Sequence, residues 1–510
     1  MFKKIALTQV LIILSALLTS FSAPPIDYFP LAWFTFIPIL FVMKSIESNK
    51  KALFIGLEMG LVINLHAFYW LKGTIVIFGH LPVWLAFILY VLLAFLQGIK
   101  YGVFFYIYKK FNLENKNIFI FALSFASLEF FFPMLFNWTL GNTQYLFLPF
   151  IQIVDIFGIS FLSFIMALFN IIVFKLIISK MVDKNGDNYK IYFKKIVYFT
   201  LFFIVLMIYG VIQINRYDKK MKNADKLKIG IIQANIDIFD IHNPRKYEAN
   251  IDKFKDESLK AKREGAELII WPESSSYSST KYNAKKVNVA PYLKTPLIFG
   301  GLSYRRTTDD WWNYNTAFFI DENQNVLNTY HKQYLLAFGE YMPFNEYMPK
   351  NWRRYFRAVG NFRPGEEIRL FNFKNKAKLG ILICYEDIIE MFSNKVNQER
   401  PNILVNMSND AWFGKTAAAD LHRMIAQYRT LENRVPLVRV TNTGRTIFID
   451  AVGRLGKTLP IYTTGHIVED VPIMKSRTLY QIFGWMMPYL YIVFIVLIVF
   501  YEKRLKKRVL

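Results

Sequence analysis

Long apolar runs fill the first two hundred positions and one stretch near the C-terminus, and the section between them alternates short apolar and polar runs. A helix needs about 20 apolar residues to cross the hydrocarbon of a bilayer. Runs of that order stand at roughly 5–22, 27–44, 52–72, 79–108, 117–135, 150–179, 195–214 and 479–501. They predict a membrane domain over 1–214 with about seven transmembrane helices, and a C-terminal transmembrane helix at 479–501. The fourth run is overlong and contains Lys100. It reads as a tilted helix whose inner end reaches the interface.

From about residue 226 the period changes. "LKIGIIQANI" predicts a buried strand, and "NPRKYEANIDKFKDESLKAKREGA" an amphipathic helix ending near Gly265. "ELIIW", "TPLIFGGLSY", "NTAFFI" and "VLNTYH" predict further strands, with "DENQN" as a turn between the last two. Such alternation indicates an α/β domain over 226–472, reached through a linker at 215–225. The expected architecture is a multi-pass α-helical membrane domain plus an extracytoplasmic α/β domain, with a basic cytoplasmic tail at 502–510.

Charge placement sets the orientation, because loops kept in the cytoplasm carry excess Lys and Arg. With "MFKK" inside, the inner loops hold "KSIESNK", "YKKFNLENK" and "SKMVDKNGDNYKIYFKK", and the tail reads "YEKRLKKRVL". The outer loops "FSAPPIDYFP" and "FNWTLGNTQYLFLPF" hold no basic residue. Seven crossings then place 215–478 outside. A cleaved signal segment would also fit "MFKK", the following apolar stretch and "SFSA", and would leave the later topology unchanged. Much of the net charge of +24 is accounted for by the inner loops and tail, which argues against nucleic acid as the partner. A basic patch on the large domain suits anionic lipid head groups instead.

The chain has a single cysteine, Cys384 in "LGILICYEDIIEMF". An isolated thiol is more often a small buried hydrophobe than a nucleophile. Here it shares one placement with Glu273 in "IIWPESS" and Lys332 in "NTYHKQYLLAFGEYMP", since all three follow strand signals. Strand ends are where α/β folds gather reactive side chains. A thiol is a few per cent thiolate at neutral pH, so a carboxylate must take its proton or a cation must stabilise the anion. Glu273 can do the first. Lys332 can do the second and can also stabilise the oxyanion formed on a carbonyl. Neither metal nor nucleotide is expected: the six histidines do not cluster, and no phosphate loop follows a strand.

At these residues the chain resembles the nitrilase, or carbon-nitrogen hydrolase, superfamily, whose Glu, Lys and Cys triad sits on an α-β-β-α sandwich. Within it the chain resembles the apolipoprotein N-acyltransferase family through "PPIDYFPLAWFTFIPIL", "FPMLFNWTLGNTQYLFLPFIQIVDIFGISFLSF", "FGEYMPF", "CYED" and "SNDAWFG". The resemblance implies that Cys384 is the acyl-carrying nucleophile, Glu273 the general base and later acid, and Lys332 the oxyanion stabiliser. It also singles out Glu340, Tyr385, Glu386 and Trp412 as supporting or substrate-binding residues. On the plainer alternative, Glu340 and Glu386 orient Lys332 and the loops, and Trp412 is simply buried. The serines after Glu273, Ala337 and Arg445 depart from the family pattern.

The implied reaction is ping-pong: a membrane phospholipid donates a fatty acyl group to the thiol, and the α-amine of diacylglyceryl-cysteine on an apolipoprotein takes it. The implied setting is the bacterial inner membrane with the catalytic domain on the periplasmic face, and a monomer is expected. A membrane-anchored amide hydrolase is the alternative. The stretch "NWRRYFRAVGNFRPG" at 351–365 could meet lipid head groups, and Glu129 in "SLEFFF" should face protein or a cavity in a structural role.

Overall fold

The computed structural model describes residues 2–509 apart from 80, 183–185, 242, 277–278, 308–309, 348 and 350–359. Most of the basic stretch at 351–365 therefore lies outside the described residues. The chain divides into two compact units. One comprises Met1–Lys72, Pro82–Ile214 and Ile482–Leu510, the other Gly73–Leu81 and Asn215–Gln481.

The first unit is helical. Val83–Lys110, Ile159–Val182, Asp187–Asn223 and Gly484–Arg504 are each long and apolar enough to cross a membrane. Asn49–Ala67 is long enough but apolar enough only when taken together with Leu71–Ile77, most of which belongs to the second unit, and Ile5–Ser20, Phe29–Lys44, Ile118–Phe131 and Leu148–Phe157 are shorter apolar helices. The apolar run at 150–179 is interrupted at Gly158, whose φ of 72° ends the short helix Val154–Phe157 before Ile159–Val182 begins.

The overlong run is one continuous helix, and Lys100 does not mark a solvated end. It is 2% exposed, with its ammonium 3.7 Å from Glu129 and 3.2 Å from the carbonyl of Trp138. A buried ammonium needs a counter-charge, and Glu129 supplies it. Glu129 also accepts the backbone N–H of Leu140 at 3.0 Å, so it fastens the segment entering the short helix Leu140–Gln144.

The second unit is built on β1 (Lys226–Gln233), β2 (Leu268–Ile270), β3 (Thr280–Lys281), β4 (Leu297–Arg306), β5 (Trp311–Ile320), β6 (Val326–His331), β7 (Leu370–Phe373), β8 (Ala377–Ile383), β9 (Ile403–Ser408), β10 (Leu437–Thr441), β11 (Ile447–Ile449), β12 (Leu455–Thr458) and β13 (Gly465–Pro472). One sheet runs β13-β1-β2-β4-β5-β6 with β3 beside β4, and the other runs β12-β11-β10-β9-β8-β7. In the first, β1, β2 and β4 are parallel, and β6 returns to their direction through the antiparallel β5. In the second, β8, β9 and β10 are parallel.

The apolar runs expected as strands form β1, β2, β4, β5 and β6, and the amphipathic stretch forms the helix Tyr247–Arg263. Phe254 of that helix stacks on Trp271 at 4.5 Å, and the Trp271 indole donates to the Ser258 hydroxyl at 2.8 Å. An apolar face with a satisfied polar tip seals this helix to the first sheet. Helices Glu390–Gln398 and Ala418–Asn433 flank the second sheet. Phe319 of β5 stacks on Phe371 of β7 at 5.7 Å, where the sheets meet face to face. The result is an α-β-β-α sandwich.

Candidate active site

Glu273 stands just beyond β2, Lys332 is the first residue after β6, and Cys384 is the first after β8. The three strand ends converge. The Lys332 ammonium lies 2.7 Å from Glu340 Oε2 and 3.9 Å from Glu273 Oε1. The Cys384 thiol and the Glu273 carboxylate act on each other electrostatically, and the Ser408 hydroxyl also bears on the thiol. Asn315 of β5 was not foreseen as a site residue, yet its amide nitrogen bridges the carboxylates, 2.7 Å from Glu273 Oε1 and 2.9 Å from Glu340 Oε1. Glu340 also accepts the Leu336 N–H at 2.8 Å, which places its carboxylate beside Lys332.

Electrostatics suit a thiol that reacts only when its proton is taken. Burial pushes the Cys384 thiol up, Glu273 and Glu340 add to this, and Lys332 opposes it. Burial also raises Glu273, against the pull of Lys332, and a carboxylate of raised proton affinity is the better acceptor for a thiol proton. Burial favours the neutral form of Lys332, but Glu340, Cys384 and Glu273 outweigh it and keep the residue above the ordinary lysine range. The site thus combines a neutral thiol, a strengthened base and a permanent cation.

Cys384 has a φ of 51°, the left-handed region, which costs a side-chain-bearing residue roughly 1–2 kcal/mol. Hydrogen bonds on both sides hold it there. Glu386 Oε2 accepts the Ile383 N–H at 2.8 Å, and the Asn406 amide donates to the Cys384 carbonyl at 3.1 Å. Glu386 Oε1 accepts the Tyr330 hydroxyl at 2.8 Å and the N–H groups of Gln333 and Tyr334 at 2.7 and 3.1 Å. One carboxylate therefore ties the loop carrying Lys332 to the turn carrying Cys384. Burial pushes Glu386 up to about 7, against the hydrogen bond from Ile383 and the charge of Lys332.

Tyr385 is buried beside Tyr334, with ring centroids 6.4 Å apart. Trp412, whose plainer reading was a buried core residue, is 44% exposed, and its carbonyl accepts the Thr74 hydroxyl at 3.0 Å. Arg445 makes a bidentate pair with Asp420 at 2.8 and 2.9 Å. That gives this departure from the family pattern its own partner.

His331 precedes Lys332 and is packed against Tyr282 at 4.2 Å, with Ser303 and Thr316 on its Nδ1. Burial, with Arg369 adding, lowers it to about 4 from 6.5. Between those values the unfolded chain binds the proton that the folded chain refuses, so folding stability falls as pH drops through this window. The expected contribution is about 3 kcal/mol at full protonation. Thermal melting of wild type and His331→Asn from pH 7 to pH 4 checks it: the variant should lose this part of the slope.

Residues 15–172 match the family model of the apolipoprotein N-acyltransferase N-terminal domain, and residues 228–479 match that of the carbon-nitrogen hydrolases. The chain is 30% identical over 484 residues to an apolipoprotein N-acyltransferase of Geobacter metallireducens, covering 92% of this chain and 91% of that protein. It is 26% identical over 506 residues to one of Rickettsia prowazekii, covering 96% and 97%. Among solved structures, an amidase from Nesterenkonia sp. superposes with a TM-score of 0.37 at 17% identity, over 51% of this chain and 94% of that one. The match to the curated relatives takes in the apolar N-terminal helices as well as the cysteine-bearing sandwich, and the chain belongs to the apolipoprotein N-acyltransferase family.

Proposed function

We propose that Cys384 carries the acyl group in two half reactions. In the first, Glu273 takes the thiol proton as sulfur attacks the carbonyl carbon of a phospholipid ester, and the oxyanion forms beside Lys332. The ester C–O bond then breaks, Glu273 returns its proton to the departing lysophospholipid oxygen, and a thioester remains. In the second, the α-amine of a diacylglyceryl-cysteine attacks the thioester carbonyl. Glu273 takes a proton from the amine, the C–S bond breaks, and the thiol is restored as the amide forms.

The observation that carries this reading is the convergence of Glu273, the buried Lys332 ammonium and Cys384 at three strand ends, where each shifts the others' charge. Lipid substrates are supported by the stretch following Lys332. Phe338, Tyr341, Phe344 and Tyr347 are all exposed there, and an exposed apolar patch marks a surface for another molecule. Glu340 and Glu386 position Lys332 and the turn carrying Cys384, and we assign Tyr385 and the exposed Trp412 to handling of the substrate.

The protein is a membrane protein. In our reading the membrane domain spans 1–214 and is joined through 215–225 to the catalytic domain at 226–472, with the last crossing at 479–501 and a cytoplasmic tail at 502–510. The low basic content of the outer loops supports a periplasmic catalytic domain in the inner membrane.

Intact mass spectrometry of the purified protein after incubation with phospholipid tests the reaction. A fatty-acyl adduct on Cys384 is expected, discharged when a diacylglyceryl peptide with a free amine is added. Hydrolysis of soluble amides without any adduct would instead establish the hydrolase. Glu273→Gln should slow adduct formation by about 10²–10⁴-fold, the usual worth of a positioned base. Stopped-time mass spectra measure that rate.

A further inference from the structure

We infer that Arg439 is a positioning residue for the nucleophile, fastening from behind the turn on which Cys384 is presented. Arg439 lies on β10 and is fully buried, so it touches no substrate. Its Nη1 donates to Asp387 Oδ2 at 2.5 Å and to Asn406 Oδ1 at 2.6 Å, and its Nη2 to Asp410 Oδ2 at 3.3 Å. Asn406 is the residue whose amide holds the Cys384 carbonyl, and Asp387 belongs to the same short helix, Cys384–Ile388. One planar guanidinium thus grips the turn twice, through the nucleophile's carbonyl partner and through a residue just beyond it.

His422 completes the arrangement. Its Nε2 lies 2.7 Å from Asp387 Oδ1 and its Nδ1 3.2 Å from Asp410 Oδ1. Ionised carboxylate oxygens only accept, so both ring nitrogens carry protons and the ring is a cation. Two carboxylates face two cations, and the cluster is neutral without water. A buried set of this kind adds little stability over an apolar core of equal volume, and what it supplies is fixed geometry. Cys384 needs that: its left-handed backbone is the strained point of the site.

The inference rests on Cys384 being the nucleophile, and the experiment separates the two. In full-length protein in detergent, Arg439→Lys and Asn406→Asp are compared with wild type for thioester formation, phospholipid KM and thermal midpoint. Lysine offers one nitrogen and cannot hold three partners in a plane. Asn406→Asp keeps the acceptor for Arg439 but turns an oxygen towards the Cys384 carbonyl. Both variants should acylate about 10²-fold more slowly, the cost of a misplaced reacting atom, with KM unchanged; Asn406→Asp leaves a buried carbonyl unpartnered and melts lower, so rates are compared at a temperature where both variants are fully folded. If Asn406→Asp acylates at the wild-type rate, or if Arg439→Lys loses activity only in proportion to its unfolded fraction, the positioning role is overturned. A wild-type protein that forms no adduct at Cys384 would overturn the nucleophile assignment instead.

Discussion

Replacing Cys384 by Ala is expected to abolish acyl transfer, with a loss on the order of 10⁶-fold in kcat, the scale seen when a nucleophile is removed from an enzyme that works through it. No second thiol exists in the chain to take its place. The change should leave the fold standing. Alanine keeps a Cβ at the same left-handed backbone position, and the hydrogen bonds that hold this turn are made by the backbone of Ile383 and Cys384 rather than by the sulfur. Transfer of a labelled acyl chain from phospholipid to a diacylglyceryl peptide measures the loss, and the thermal midpoint reports the fold. Transfer above background by the alanine variant would show that the acyl group passes directly between substrates.

Lys332→Met is expected to be the next most damaging change. It keeps the length of the stem and removes the charge. Losing an oxyanion donor costs about 10²–10³-fold. A second loss comes from the carboxylates left behind: Glu273 and Glu340 share the Asn315 amide and both face the ammonium. Without Lys332 they become a like-charged buried pair, and breaking such a buried set costs about 3–5 kcal/mol of stability. One of them then binds a proton, and Glu273 is already raised by burial and by Glu340. Since Lys332 is what lowers Glu273, its removal moves the acid limb of the pH–rate profile to higher pH. The thermal midpoint and the pH dependence of acylation check both parts. An acid limb that stayed at the wild-type pH would mean that Glu273 is not the titrating base.

Much of this site was legible because its chemistry follows strands that announce themselves. The strand signals "ELIIW" and "VLNTYH" are followed within two residues by Glu273 and Lys332, and "LGILIC" ends in Cys384, so a reactive group at a strand end leaves a mark in the pattern. The groups behind the site leave a fainter one. Asn315 and Arg439 are polar residues inside otherwise buried strands, a signal that something must satisfy them, but their partners lie 25 to 52 residues away in sequence. Lys100 misled for the same reason. In a one-dimensional pattern a charge in an apolar run marks an end, whereas here it meets Glu129 from another helix. Fine helix boundaries in the apolar region were also hidden, since only Gly158 and its left-handed φ betray the break before Ile159.

That the reactive sulfur is also the sole sulfhydryl of the chain turns the molecule into its own counter. Denatured protein titrated with a chromogenic disulfide releases one equivalent of chromophore per unloaded molecule and none per loaded one. The shortfall from unity is the occupancy of the thioester. Turnover can then be followed as stoichiometry, without a labelled lipid, at each stage of the cycle.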